Sequence, residues 1–237
     1  MNSHAEDSEG HQKPQSGSDR PTSDLERTTG LYLGSPTPRI HSKLVDLPSR
    51  GQELIDFAES IKLPLLPWQK WVAMEAHKVK RDGRWASPLV TIVVARQNGK
   101  THLTRMLILA HLLKWDSRNI IIASSNRSMA LDTFRQVASV FESNENLMQL
   151  VKQIRYANGT ESIGMKDNRR LDVVAATRDG ARGRSADALF LDEIREWSED
   201  GYRAAMPVTR ARANAHTFLT SNAGDAFSAV LNQLRER

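Results

Sequence analysis

The chain has 237 residues, of which 39% are hydrophobic, and a mean hydropathy of −0.50. That suits one large domain, or a domain with an appended tail, able to bury a sizeable core. No apolar run approaches the length of a membrane-spanning helix, and the polar N-terminus lacks the apolar segment of a secretory signal. Cysteine is absent, which excludes disulfides, thiolate metal sites and cysteine nucleophiles together. The formal charge of +5 and pI near 9.6 are compatible with a nucleic-acid partner, and equally with ordinary solvated surface.

In chain order, residues 1 to about 40 are rich in Ser, Gly, Pro, Asp, Glu, His and Thr and nearly empty of large apolar residues. Such a segment cannot bury enough surface to offset its ordering entropy, so a disordered arm is expected there, with one folded domain over 41–237. Leu54 to Ile61 has helical spacing, Pro64 and Pro67 punctuate the chain, and a helix is expected over Trp68–Ala76. A strand over Leu89–Ala95 precedes a helix from Gly99 to about Lys114. A strand over Asn119–Ser124 precedes a helix from Ser128 to Phe141. Leu147 to Ile154 suggests a short helix, and Arg170–Ala176 and Asp187–Asp192 are strands. A helix from Asp200 to Met206, a strand over Ala215–Ser221 and a helix from Phe227 to Leu234 complete the pattern. Short, nearly continuous apolar strands separated by helices indicate an α/β fold: a central, mostly parallel sheet covered by helices on both faces.

Between the first of these strands and its helix lies Ala95-Arg96-Gln97-Asn98-Gly99-Lys100-Thr101. A strand, a tight Gly-Lys-Thr turn and a helix form the arrangement that holds nucleotide phosphates. Backbone N–H groups and the positive helix end face the anion, Lys100 reaches the terminal phosphates, and the Thr101 hydroxyl ligates Mg²⁺. The slot five residues before Gly99 holds Val94, where the general pattern has glycine. Further along, the apolar strand Ala188-Leu189-Phe190-Leu191 ends in Asp192-Glu193. Two acids at the carboxyl edge of an open sheet lie where ligands bind. Asp192 is assigned to the Mg²⁺ shell. Alternation along the strand would point Glu193 elsewhere, toward the terminal phosphate, where it can orient or deprotonate an attacking water. Thr220-Ser221-Asn222 ends another strand in neutral donors and acceptors that can sense the terminal phosphate; equally, Asn222 or Asp225 can simply cap the following helix.

Leu66-Pro67-Trp68-Gln69 admits two readings: Gln69 pairing with adenine beside the indole of Trp68, or Trp68 and Trp71 as core residues at helical spacing. Arg96 lies inside the phosphate loop, placed to stabilise charge on the transferred group. Arg178, Arg182 and Arg184 lie in a glycine-bearing loop that suits DNA backbone, a neighbouring subunit or plain solvent, and Arg169 and Arg170 suggest an exposed turn. No histidine pair has metal-ligand spacing on one helix face, so no zinc site is expected. No Gly-x-Ser-x-Gly elbow supports serine hydrolysis.

Together these motifs resemble those of tailed-phage terminase large subunits, the motors that package viral DNA. Ala95 to Thr101 is similar to that family's variant phosphate loop, in which the first glycine is often missing and an arginine follows a small residue. Leu66-Pro67-Trp68-Gln69 resembles its adenine motif, Leu191-Asp192-Glu193 its second nucleotide motif with adjacent catalytic glutamate, and Thr220-Ser221-Asn222 its coupling motif. The match runs from about Pro64 to Asn222. The resemblance implies a P-loop ATPase of the RecA-like (ASCE) type that uses ATP and Mg²⁺ and drives double-stranded DNA in the host cytoplasm. It also implies a homo-oligomeric ring, pentameric by the family pattern, on a portal protein, with a small terminase subunit and no membrane. Catalytic roles fall on Glu193, Lys100 and Arg96. The phosphate and base contacts fall on Trp68, Gln69 and Ala95 through Thr101. Thr101 and Asp192 hold the metal, and Thr220, Ser221 and Asn222 couple. Members usually carry a nuclease domain as well, for which these 237 residues leave no room; no nuclease activity is expected of them. Two other readings stand beside this one: a helicase-type motor, and a nucleotide-binding assembly module of low turnover.

Overall fold

Ile120, Ile121, Ile122 and Ala123 are all buried, although consecutive strand residues face opposite ways. Both faces of the sheet must therefore be covered. Ile120 and Ile122 join the larger core with Phe190 and Phe218. Ile121 and Ala123 join a second core with Leu189, Leu191 and Leu219 on the other face. The structure, a computed structural model, describes residues 34–115, 117–175 and 184–236. Residues from Pro36 onward form one compact unit.

Its helices are α1 (Gly51–Ser60), α2 (Pro67–Ala76), α3 (Lys100–Leu113), α4 (Arg127–Glu142), α5 (Glu145–Met148), α6 (Glu199–Ala205) and α7 (Ala229–Arg235). The strands are β1 (Leu89–Val93), β2 (Asn119–Ser124), β3 (Val151–Arg155), β4 (Ser162–Met165), β5 (Arg170–Ala175), β6 (Ala188–Asp192) and β7 (His216–Ser221). They form a seven-stranded sheet in the order β1-β7-β6-β2-β5-β4-β3. The first five pair in parallel and β4 and β3 antiparallel, so the mostly parallel sheet expected from the sequence is present. Helices α1 to α4 supply the larger core. Trp197, α6 and α7 supply the second. Gly51 lets α1 and α2 meet: a Cβ there would lie 2.2 Å from the Ala73 carbonyl oxygen.

Two local expectations are corrected. Leu147–Ile154 is not a helix; α5 ends at Met148 and β3 begins at Val151. The register shifts between Val151 and Gln153, which breaks the two-residue alternation that marks a strand, and the pairing partner β4 lies across a loop. Arg169 is not simply exposed: beside Asn168, whose φ is +68°, it donates to the carbonyls of Leu112 (2.8 Å) and Trp115 at the end of α3. Carbonyls at a helix C-terminus lack intrahelical partners and attract such a cation.

Candidate functional site

The strand order positions the site. β7 lies between β1, which leads into the Ala95–Thr101 loop, and β6, which ends at Asp192. Three segments far apart in sequence therefore finish at one sheet edge, the edge where ligands bind in such folds. Val94 N–H donates to the Ser221 carbonyl at 3.0 Å, fixing the base of the loop against β7.

In the loop, Gln97 (φ +61°) and Gly99 (φ +82°) take left-handed conformations, and α3 starts at Lys100. Successive turns of this kind, followed by a helix start, aim unpaired N–H groups into one concavity. Asn98 closes the crest by donating to the carbonyls of Arg96 (3.0 Å) and Ala95 (3.3 Å). From beneath, Gln69 Nε2 donates to the Gly99 carbonyl at 2.8 Å, while its Oε1 accepts from Leu66 N–H at 2.8 Å. The second bond caps α2. Gln69 is fully buried, with its amide oxygen and one amide N–H engaged by the chain itself, and Trp68 packs against the larger core.

On the other side, Lys100 Nζ lies 2.6 Å from Glu193 Oε1 and 3.1 Å from Asn222 Oδ1. Asn222 Nδ2 donates in turn to Glu193 Oε1 at 3.1 Å, and Arg195 Nε lies 3.2 Å from Glu193 Oε2. Burial pushes the Glu193 carboxyl upward, but the hydrogen bonds and charges of Lys100 and Arg195 outweigh it and hold the group below the ordinary carboxylate range. Glu193 is therefore an ionised carboxylate. It lies beyond the end of β6 with φ +50°, so this left-handed turn aims its side chain, not the strand alternation invoked from sequence. A non-glycine residue there is held at a cost of order 1–3 kcal/mol, a cost commonly found at functional sites. Asp192 Oδ1 accepts from Thr220 Oγ1 at 2.5 Å and from Glu193 N–H at 2.9 Å. Ser221 Oγ accepts from Arg195 N–H at 3.2 Å.

These groups surround a cleft of about 650 Å³. Ala95, Arg96, Gln97, Gly99, Lys100 and Thr101 form one wall, and Glu193, Arg195 and Asn222 face them. Trp68, Gln69, Asn98, Asp192, Thr220 and Ser221 are not among its lining residues. They form a layer of hydrogen bonds and packing around it. Arg195, Ser125 and Asn126 are among the five lining residues that escaped sequence reasoning, with Met129 and Glu196. Arg195 follows the acid pair by two positions, a signal available in the sequence. Ser125 and Asn126, just past β2, carried none, because only the sheet order brings them here. Of the basic loop residues, Arg178 and Arg182 lie outside the described residues, and Arg184 is 3.6 Å from Asp172.

The family model for the terminase large subunit, ATPase domain, matches residues 67–237. This chain belongs to that family. A search of curated proteins finds no match. Among solved structures, the terminase ATPase fold described above is similar to the HK97 bacteriophage large terminase, with 24% identity and a TM-score of 0.63. The similarity covers 73% of this chain and 38% of that one, so the chain spans well under half of the HK97 protein's length. It is also similar to the large terminase ATPase domain of Thermus phage P74-26, with 16% identity and a TM-score of 0.57 over 78% of this chain and 73% of that one. At these identities the structural likeness speaks for the terminase ATPase fold, a P-loop fold of RecA-like type.

Proposed function

We propose that this chain is an ATP-hydrolysing motor that drives double-stranded DNA into a procapsid, with residues 41–237 as the motor domain and 1–40 as an arm. The observation that carries the reading is the convergence of Lys100, Glu193 and Asn222 opposite the Gly99–Thr101 turn. The turn's N–H groups and the Lys100 ammonium bind the triphosphate. A γ-phosphate at Lys100 competes with Glu193 for the ammonium, which frees the carboxylate to orient and deprotonate a water. Arg96, exposed on the cleft wall, stabilises charge on the transferred group. Asn222 bridges both partners and so reports phosphate loss to β7, with Thr220 and Ser221 carrying the change to Asp192 and Arg195. The Asp192 carboxylate and Thr101 hydroxyl are hard oxygen donors that fit Mg²⁺, which when bound neutralises phosphate oxygens. Gln69 supports the reading by shaping the loop; base contact by Gln69 or Trp68 requires them to leave their present bonds and packing.

By family membership the partners are duplex DNA, further copies of the chain in a ring, a portal protein and a small terminase subunit, in the host cytoplasm. Among the described residues no helix is long and apolar enough to cross a membrane. The test is steady-state phosphate release by the full chain, with and without duplex DNA. Glu193→Ala is expected to lose turnover at least 10²-fold while retaining ATP binding by calorimetry, about the scale of removing one directly acting catalytic group. Normal hydrolysis by that variant would remove the assigned base.

A further inference from the structure

Among the described residues no two histidines share a helix face at metal-ligand spacing, yet the fold collects three of the chain's seven. His77 follows the last turn of α2, His111 lies on α3 and His216 opens β7. All three are fully buried, and ligating nitrogens from the three lie within 4.8 Å of one another. The aromatic rings of Trp85, Trp115 and Phe218 wall the group.

The hydrogen bonds identify which nitrogens are free. His77 Nδ1 is 2.8 Å from the Ala73 carbonyl. A carbonyl only accepts, so Nδ1 carries the proton and Nε2 presents a bare lone pair. That Nε2 is buried and has no partner. At His111, Nδ1 lies 2.8 Å from Ser117 Oγ, a hydroxyl that can accept or donate, and Nε2 is buried without a partner. Both ring nitrogens of His216 lack a partner; the Ser87 carbonyl lies close enough to act on the ring without completing a hydrogen bond. Buried polar atoms are normally satisfied, and each orphan calls for a reason. Here one reason serves all three rings.

We propose that His77 Nε2, His111 Nε2 and one ring nitrogen of His216 bind a single Zn²⁺. Three imidazoles without thiolate or carboxylate suit zinc with a fourth, water position. The bonds from the Nδ1 atoms to a backbone carbonyl and a serine hydroxyl are the outer-shell partners that orient metal-binding histidines. Ligands must be neutral, and burial pushes His77 down to about 4 and His111 and His216 well below their ordinary value. Zinc–nitrogen bonds of about 2.0–2.1 Å bring tetrahedral ligands to roughly 3.3 Å from one another, so binding draws the three rings closer than the spacing of up to 4.8 Å between their ligating nitrogens. The ion would pin the trailing end of α2, a late turn of α3 and the first residue of β7. These are the three elements whose other ends hold Gln69, Lys100 and Ser221, so the site is a structural staple remote from the cleft and independent of the role proposed for it.

The experiment uses the full chain, purified without a histidine tag, stripped by chelator and held in excess Mg²⁺ to occupy oxygen-ligand sites. Native and refolded samples are titrated with Zn²⁺ by calorimetry and with Co²⁺ by visible absorption. One equivalent of Zn²⁺ is expected to bind and to raise Tm by at least about 5 °C, with Co²⁺ giving the intense bands of a tetrahedral site. His216→Phe, which keeps a ring against Trp85 and Phe218, is expected to lower affinity at least 100-fold. Ser117→Ala, a milder change, is expected to lower it about 10- to 100-fold. His41→Ala, an exposed control, leaves it unchanged. Failure of the folded wild-type chain to take up Zn²⁺, or wild-type affinity in the His216 variant, would overturn the site.

Discussion

Asn222 is the residue with the most leverage for its size. Its amide oxygen faces Lys100 and its amide nitrogen faces Glu193, so it keeps carboxylate and cation in register. Each bond is to a charged group and is worth about 1.5–3 kcal/mol. Asn222→Ala should therefore lower kcat about 10- to 100-fold with little change in nucleotide affinity, which steady-state phosphate release and calorimetry separate. Gln69 tests a different distinction. Its buried amide binds the Gly99 carbonyl and the Leu66 N–H, so Gln69→Ala should destabilise the fold by about 1–3 kcal/mol, measured by urea unfolding. It should weaken ATP and GTP equally; a loss confined to ATP would instead support direct adenine contact. The residue types of this site were legible in the sequence because Gly-Lys-Thr and Asp-Glu are local signals. The left-handed turn at Glu193 and the double bond of Asn222 were not, because each depends on a partner from another segment.

At the scale of elements, α3 and the strand ends stand out in the local pattern, since apolar periodicity and the Gly99 start signal lie within one segment. The β3–β4 edge does not. It is tied to α4 by Arg127, whose guanidinium lies 2.5 Å from Glu161 Oε2 at the entry to β4. Burial pushes the Glu161 carboxyl upward, but backbone N–H groups and Arg127 outweigh it and leave the group below its ordinary range. A depressed carboxyl stabilises the fold above the ordinary carboxylate range and loses that contribution as pH falls through its folded-state value. Arg127→Ala should destabilise the chain by about 1–3 kcal/mol at neutral pH, with the difference from wild type shrinking in acid. Urea unfolding at neutral and acid pH reads both effects; a pH-independent difference would assign the loss to packing alone.

For the whole molecule, a packaging motor that grips duplex backbone should bind with strong salt dependence and little sequence preference. The basic balance of the chain fits, though charge alone never distinguished this from ordinary surface. Affinity for two unrelated duplexes should fall together, by at least about tenfold between 50 and 200 mM salt, as read by fluorescence anisotropy. A marked preference for one duplex at constant salt would argue for base readout and against this mode of contact.

The amino-acid sequence by itself determined the alternation of strands and helices, the phosphate turn, the acid pair and the family, because each is written in neighbouring residues whose spacing reflects a local conformation. The tertiary structure alone decided which strand ends meet, that Lys100 and Glu193 share Asn222, and that three histidines, from just past α2, from α3 and from β7, come together. Those are contacts between segments far apart in the chain. Strand order sets them, and no local periodicity encodes it.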